Sequence, residues 1–502
     1  MTVVPSIGRI LDRPLADRPD ATAIVARDGA LTYRELDVAI DVAAGALWES
    51  GVRQGDRVAA SLPNGVDIVV AFHAAMRLGA VWVGIPQAYP PAEQTRLLRH
   101  AGVRVFLTTP TAAAPAVAAE VAVLGTDGNW RELLEAGLRP PSLHIDPYAP
   151  AAIAFTSGTT GSPKGIVHSQ HNLLLPGEVL VASRGYGPDL RKGDSLPLTI
   201  LNLMALSTVL TAQAGGCAVL MDRRDAVGIA EWIRTESVTT WNAVPPQLRD
   251  MLHNSTIQPD DLASLTEIWC GGTDLPDALR TDFEQKFGVP IRLTYGLTEA
   301  PTIVSIDSPG RRWQPGASGV VLPHLDVRSA ESGELTVRAA ASGPWAGAYT
   351  PMLGLWNGAG VDPTPGPLHT GDLGSVDEDG WLTVVGRRKM VIVRGGANVY
   401  PAEVENVLKA VPGVGDAVVF GIPDARLGER VCALIELASD GEYVLDGPDL
   451  HRHCMDQLAK YKVPESWAVV DTLPRNSMGK VVRTDLPALF GSADPLPNHS
   501  PV

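Results

Sequence analysis

The segment Thr156-Ser157-Gly158-Thr159-Thr160-Gly161-Ser162-Pro163-Lys164-Gly165 gathers the means of holding a polyphosphate into one short loop. It follows the apolar run Ala151–Phe155, so the loop leaves the end of a strand. Glycines let the backbone turn tightly and approach a ligand closely, the hydroxyls donate hydrogen bonds, and Lys164 supplies a point charge. The spacing is not that of a P-loop, because Lys164 is followed by Gly165 and the first glycine lies too few residues upstream. A flexible surface turn is the alternative. Such turns rarely combine glycines, hydroxyls and a lysine in this density.

Six further segments follow in chain order: Trp269-Cys270-Gly271-Gly272-Thr273, Tyr295-Gly296-Leu297-Thr298-Glu299, Thr370-Gly371-Asp372, Gly386-Arg387-Arg388-Lys389, Gly395-Gly396-Ala397-Asn398-Val399-Tyr400-Pro401, and Pro474-Arg475-Asn476-Ser477-Met478-Gly479-Lys480. With the LTYREL stretch from Leu31 and the PNGVDIVVAFHAAMRLGAV stretch from Pro63, they span almost the whole chain. In these segments the sequence resembles the acyl-adenylate-forming superfamily of acyl-CoA and aryl-CoA ligases, free-standing adenylation enzymes and firefly luciferase. The resemblance implies ATP, Mg²⁺ and CoA (or the phosphopantetheine of a carrier protein) as reaction partners, in an AMP-forming acid–thiol ligase. A carboxylate is a poor electrophile, and joining it to AMP gives it a good leaving group. Bringing two anions together requires cations and donors around the α-phosphate.

Residue by residue, the resemblance assigns Thr156, Ser157, Gly158, Thr159, Thr160, Gly161 and Lys164 to the phosphates. Gly272, Thr273 and Tyr295 flank the adenine, with Thr294 and Gly296 beside them. Thr298 contacts the α-phosphate and Glu299 holds Mg²⁺, which favours a carboxylate together with phosphate oxygens. Asp372 accepts the ribose hydroxyls and Arg387 braces them. Lys480 bridges the substrate carboxylate and the α-phosphate. Lys389 marks a hinge, and the Gly395-Gly396 loop meets an incoming thiol after a small domain swings. The residue after the hinge lysine is usually acidic and here is Met390. Taken singly, Tyr295 could be a core aromatic, Glu299 a helix-start acid, Asp372 a turn residue, Arg387 a strand end, Lys480 a surface lysine and Gly395-Gly396 a plain turn. His168 and His171, just after the loop, are expected to support the site rather than to react.

By the same resemblance Leu198–Leu206, Trp241–Val244, Gly271–Thr273 and Thr294 line the acyl pocket, with Leu198, Ile200, Asn202, Trp241, Asn242 and Gly271 as its named residues. Many relatives carry an aromatic-His pair where this chain has Thr199-Ile200. Asn202 and Asn242 are the evident side-chain amides, Trp241 is expected to shorten the pocket, and no Asp in these segments grips an amino group. Thr294 stands where malonate-activating relatives carry arginine. An uncharged, mid-sized aliphatic or aromatic acid is therefore expected, passed to CoA. Transfer to a carrier-protein phosphopantetheine or to an amine is the alternative, and a degenerate nucleotide-binding protein the reading from another class.

These residues need a scaffold, and the chain is long enough to build one. Its 502 residues carry a net charge of −15, with 45% hydrophobic and 19% charged residues. The mean hydropathy is +0.07. That composition fits a globular enzyme of several structural units. The acidity disfavours a nucleic-acid polymer as partner. Four cysteines without C-x-x-C spacing and no basic-then-apolar start fit a cytoplasmic protein. The uncharged stretch between Asp194 and Asp222 contains Pro197, Asn202 and Gly215, so a buried helix and strand are expected there rather than a membrane span.

Helical spacing in Leu31–Arg57, capped at Gly51, and in Val66–Arg77 alternates with apolar runs at Val58–Leu62 and Ala80–Ile85. This is the pattern of a parallel sheet covered on both faces. The expected class is α/β: residues 1–386 as two stacked αβ subdomains with a small β-barrel subdomain, and 387–502 as a mobile α+β lid. A monomer or homodimer is expected.

Overall fold

The computed structural model describes residues 6–156, 164–272, 275–438, 445–475 and 480–496. Within them the large N-terminal part holds two sheets built mainly from parallel strands. One contains nine strands in the order Val320–Val321, Ser305–Ile306, Ile291–Tyr295, Glu267–Gly271, Thr240–Ala243, Arg191–Asp194, Cys217–Leu220, Thr22–Ala26 and Gly29–Thr32. The other contains eight, with Lys164–Ser169, Pro150–Thr156, Val81–Gly84, Arg57–Ser61 and Val103–Thr108 at its centre. The helices fall where the periodicity places them. Thr32 and Glu35 form a reciprocal capping box that starts helix Tyr33–Glu49, and Ile40, Ala43 and Ala44 turn inward. Helix Val66–Leu78 is apolar almost all round and buried accordingly.

The uncharged stretch after Asp194 folds as expected into a buried helix and a strand. Leu201–Met204 is α-helical, Ala205–Val209 makes one π-helical turn, and Leu210–Ala214 resumes the α-helix before strand Cys217–Leu220. Among the described residues no helix is long and apolar enough to cross a membrane.

The expected barrel takes the form of a four-stranded antiparallel sheet, Leu325–Ser329, Glu334–Ala339, Leu368–Val376 and Leu382–Arg387. Its neighbours in the chain instead extend the eight-stranded sheet, Gly354–Trp356 pairing with Lys164–Ser169 and Val361–Pro363 with Gly354–Trp356. The Asp379-Gly380 turn joins the last two strands of the four-stranded sheet, with Asp377 Oδ1 accepting from the amides of Asp379 and Trp381. Arg387 is the last residue of that sheet, and the next sheet begins at Ile392. Between them lies the short 3₁₀ turn Arg388–Met390. The C-terminal part has one sheet, its long hairpin Val414–Asp424 and Gly428–Leu437 packed by helices Pro401–Lys409 and Gly447–Gln457.

Both large sheets aim their carboxyl ends at one segment. Asn64, just past strand Arg57–Ser61, donates from Nδ2 to Leu196 O at 2.9 Å and accepts from Leu198 N at 3.0 Å. At the end of Val81–Gly84 a Cβ on Gly84 would meet Thr199 O at 1.8 Å, so the backbones touch. Ligands of parallel α/β sheets bind outside the carboxyl ends of the strands, which is where this convergence lies.

Candidate active site

Thr156 and Lys164 are register partners at the ends of antiparallel strands Pro150–Thr156 and Lys164–Ser169. The residues between them that are expected to hold phosphates, Ser157, Gly158, Thr159, Thr160 and Gly161 among them, lie outside the described residues, as do Thr273 and Asn476–Gly479. Lys164 itself is exposed. From Lys164 the strand runs to His168, whose ring is fully buried and whose Nε2 lies 2.7 Å from Thr298 O. A carbonyl only accepts, so Nε2 carries the proton. Burial pushes this imidazole down to about 4, which keeps it neutral. His171 Nε2 lies 2.9 Å from Ala348 O. Both histidines therefore hold backbone in place, as expected from sequence.

Tyr295 ends strand Ile291–Tyr295 and its hydroxyl donates to Asp372 Oδ2 at 2.6 Å. Arg387 Nε meets Asp372 Oδ1 at 2.8 Å. Asp372 and Arg387 are cross-strand partners in the four-stranded sheet, so the register sets that contact. The Asp372 side chain is almost completely buried. Each carboxylate oxygen retains a lone pair beyond these two bonds, leaving the group able to accept from a ribose as well. Burial and the neighbouring Asp372 raise the Tyr295 phenol far above its ordinary value, so it remains a donor.

Gly296 cannot carry a side chain: a Cβ there would stand 1.8 Å from Thr302 O. Thr298 and Glu299, the residues that follow, are half-buried. The Glu299 carboxylate has no hydrogen bond or ion pair among the described residues, and no group of three or more His, Cys, Asp or Glu gathers there to cage a metal. One available carboxylate suits Mg²⁺ that takes its other ligands from phosphates and water.

Lys480 comes from the C-terminal part, yet its side chain reaches Gly272. A Cβ on Gly272 would lie 3.7 Å from Lys480 Cε, and Gly272 has φ +88°, a conformation that glycine adopts without strain. Burial of its ammonium lowers the Lys480 pKa, Arg387 lowers it further, and Asp372 and Glu299 oppose them. The structure thus brings Gly272, Glu299, Asp372 and Arg387 together around Lys480.

Gly395 (φ +58°) and Gly396 (φ +84°) form the two-residue turn of a hairpin between Ile392–Arg394 and Ala397–Val399. Lys389 lies exposed in the 3₁₀ turn between the sheets. Sequence reasoning missed Glu334, which accepts from Gly371 N at 3.0 Å and Arg388 Nη1 at 3.2 Å, supporting Asp372 on one side and the connecting turn on the other. Its only signal is a charged residue at the start of the alternating strand Glu334–Ala339.

In the expected acyl pocket, Leu198 is fully buried, Ile200 is partly buried against the same core, and Asn202 is half-buried. Gly271 and Thr294 are register partners, and Thr294 Oγ1 donates to Cys270 O at 3.1 Å. Trp241 departs from expectation. Successive residues of a strand face opposite sides: Asn242 faces Lys192 and Asp194, whereas Trp241 is sealed into the core with Ile268, Ile291 and Phe283 on the far side of the sheet. It does not shorten the pocket.

Residues 11–341 match the family described as AMP-binding enzyme, and residues 403–480 match its C-terminal domain. The chain belongs to the AMP-binding enzyme family. A feruloyl-CoA synthase of Amycolatopsis is 32% identical over 94% of this chain and 96% of its own. Among solved structures, ATP-bound MatB from Rhodopseudomonas palustris superposes with a TM-score of 0.85 at 27% identity, covering 96% of this chain and 99% of that one. An o-succinylbenzoate CoA synthetase from Bacillus subtilis, holding its acyl-adenylate, gives 0.84 at 27% identity over 97% and 98%. These likenesses run the length of this AMP-binding enzyme, so both parts of the chain share the family architecture.

Proposed function

We propose that this AMP-binding enzyme activates a carboxylic acid with ATP and passes the acyl group to CoA, using the residues gathered around Lys480. A carboxylate oxygen attacks the α-phosphorus, pyrophosphate leaves, and an acyl-adenylate forms. The CoA sulfur, having given up its proton, then attacks the acyl carbon and AMP leaves. The observation that carries this reading is the convergence of Lys480 with Gly272, Glu299, Asp372 and Arg387, drawn from two parts of the chain.

In that arrangement Asp372 and Tyr295 fix the ribose, while the Lys480 ammonium offsets charge between the two reacting anions. Thr156 and Lys164 frame the phosphate loop. Glu299 would hold Mg²⁺, which screens the phosphates when bound. Residues 387–502 act as a lid that pivots near Lys389, withdrawing Lys480 and presenting the Gly395-Gly396 hairpin to the thiol. Arg388, tied to Glu334, supplies polar support there despite Met390. Apart from its carboxylate the acid is uncharged, aliphatic or aromatic and of middle size, in keeping with the name of the feruloyl-CoA synthase relative. A cytoplasmic location fits the supply of CoA.

The test is incubation with ATP, Mg²⁺ and a panel of acids, following pyrophosphate and comparing thioester yield with CoA and with a holo carrier protein. Pyrophosphate release and CoA thioester are expected. Thioester on the carrier protein alone, or no AMP from any acid, overturns the reading.

A further inference from the structure

Asp194, Asn242 and Trp269 are register partners across three parallel strands, so their side chains form one row on one face of the sheet. Gly271 and Thr294 stand one row nearer the carboxyl ends of the strands on that face. Lys192, Thr240 and Glu267 make the row behind. Strand and residue spacings put Asp194 about 12 Å from Gly271, Cα to Cα. A mid-sized acid whose carboxylate sits at Gly271 would reach this row with its far end.

The row is polar where a sheet face at this depth is ordinarily apolar. Lys192 and Asp194 are completely buried. The Asn242 amide joins them: its Oδ1 accepts from Lys192 Nζ at 2.8 Å, and its Nδ2 donates to Asp194 Oδ2 at 2.5 Å. Lys192 Nζ also lies 3.8 Å from the centre of the Trp269 ring. Ser207 in the π-helical turn donates to the same Asp194 oxygen. Single π turns in α-helices recur at functional sites, and this one brings Ser207 onto the carboxylate. The lysine thus has its partners, and one oxygen of the aspartate has two.

The other oxygen has no donor in bonding geometry, although the Leu196 backbone amide leans toward the carboxylate. Asp194 Oδ1 is buried without a hydrogen-bond partner among the described residues, and so are Thr240 Oγ1, Thr199 Oγ1 and Asn202 Oδ1 nearby in register or sequence. Buried polar atoms are paired in the great majority of cases, and leaving one unpaired costs about 1–3 kcal/mol. Asp194 Oδ1 and Asn202 Oδ1 only accept, so what they lack is a donor. We propose that Asp194, held by Asn242 and Ser207 at the floor of the acyl pocket, selects an acid whose far end carries a hydroxyl or N–H donor. This rests on the ligase reading, since it names the acid that the same site activates. A site built to bond a substrate hydroxyl rejects the analogue lacking it strongly, because its own polar groups are then left unpaired.

Two matched pairs test it: 4-hydroxyphenylacetic against phenylacetic acid, and 8-hydroxyoctanoic against octanoic acid. Thioester formation and calorimetric binding to the enzyme holding AMP are both measured. In at least one pair the hydroxylated acid is expected to win by tenfold or more. Asp194→Asn, or Ser207→Ala should the first variant not fold, is expected to shrink that ratio several-fold. Equal or reversed preference in both pairs overturns the proposal, as does a variant that weakens both members equally, which marks a structural role. Thioester made without preference rejects the donor proposal and spares the ligase reading. Calorimetric preference without any thioester does the opposite.

Discussion

His168 and Thr298 are joined by a hydrogen bond of 2.7 Å from the buried imidazole Nε2 to the backbone carbonyl. It ties the strand that leaves the phosphate loop to the segment that carries Glu299. Replacing His168 by alanine leaves a carbonyl unsatisfied, at a cost of about 1–3 kcal/mol, and frees Thr298 and Glu299 to shift. The expected result is a lower urea midpoint together with a fall in pyrophosphate release of more than about tenfold, since small misplacements of reacting groups are expensive. His168→Gln, which can still donate, should recover part of the rate. Wild-type turnover in the alanine variant would show that the tether has no role in positioning.

Tyr295 and Asp372 make a second, more local arrangement. Tyr295→Phe removes a donor from a nearly buried carboxylate, and bonds to charged groups are worth about 1.5–3 kcal/mol. The proposed ribose contact would be made both before and during reaction. The loss should therefore appear as a KM for ATP raised about tenfold or more, with kcat changed little. Initial rates of pyrophosphate release across ATP concentrations measure this. An unchanged KM would remove Asp372 from nucleotide binding.

How much of this was readable beforehand follows from the range of the forces involved. Helix Tyr33–Glu49 was legible because its capping box and apolar spacing are local. Asp372 and Arg387 were legible as a pair only through the family resemblance, because cross-strand register is decided by the whole sheet. The face on which Trp241 lies was misjudged for a related reason. Strand alternation separates it from Asn242, but which of the two faces the pocket depends on how helices cover the sheet. Asp194 escaped notice because it precedes the expected pocket segment in sequence and enters through register with Asn242. Glu334 supports the site from a strand whose sequence shows only alternation.

Stability should fall in mild acid, for a reason that three histidines share. His73, His168 and His324 are buried, and burial lowers them from 6.5 to about 3, about 4 and about 3. Unfolded, each binds its proton as pH drops through 6.5, whereas the folded chain does not until pH 3–4. The unfolded state therefore holds more protons in that window, and stability is lost as pH falls from about 6.5 toward 4, with no such loss above 7. Urea midpoints at pH 7.5 and pH 5 measure the difference. His324→Phe keeps the ring beside Tyr349 but cannot titrate, so it should narrow the gap between the two midpoints. An unchanged gap would place the acid sensitivity elsewhere.

Lys480 offers the sharpest division between the two half-reactions. Its ammonium lies beside Gly272 among Arg387, Asp372 and Glu299. It can stabilise charge while the acyl-adenylate forms, but it has no electrophilic centre left to serve once AMP is bound to the acid. Lys480→Ala should reduce pyrophosphate release by about 10²–10³-fold, the usual loss on removing one transition-state donor. Thioester formation from supplied acyl-adenylate and CoA should largely persist. Equal loss in both assays would refute the assigned role. The direction of its pKa adds a second reading. Because burial and Arg387 pull the group below the ordinary lysine value of 10.5, the alkaline decline of adenylation should begin at a lower pH than a free lysine would give. The thioester step from supplied adenylate should show no matching decline from this group, since it does not use the charge.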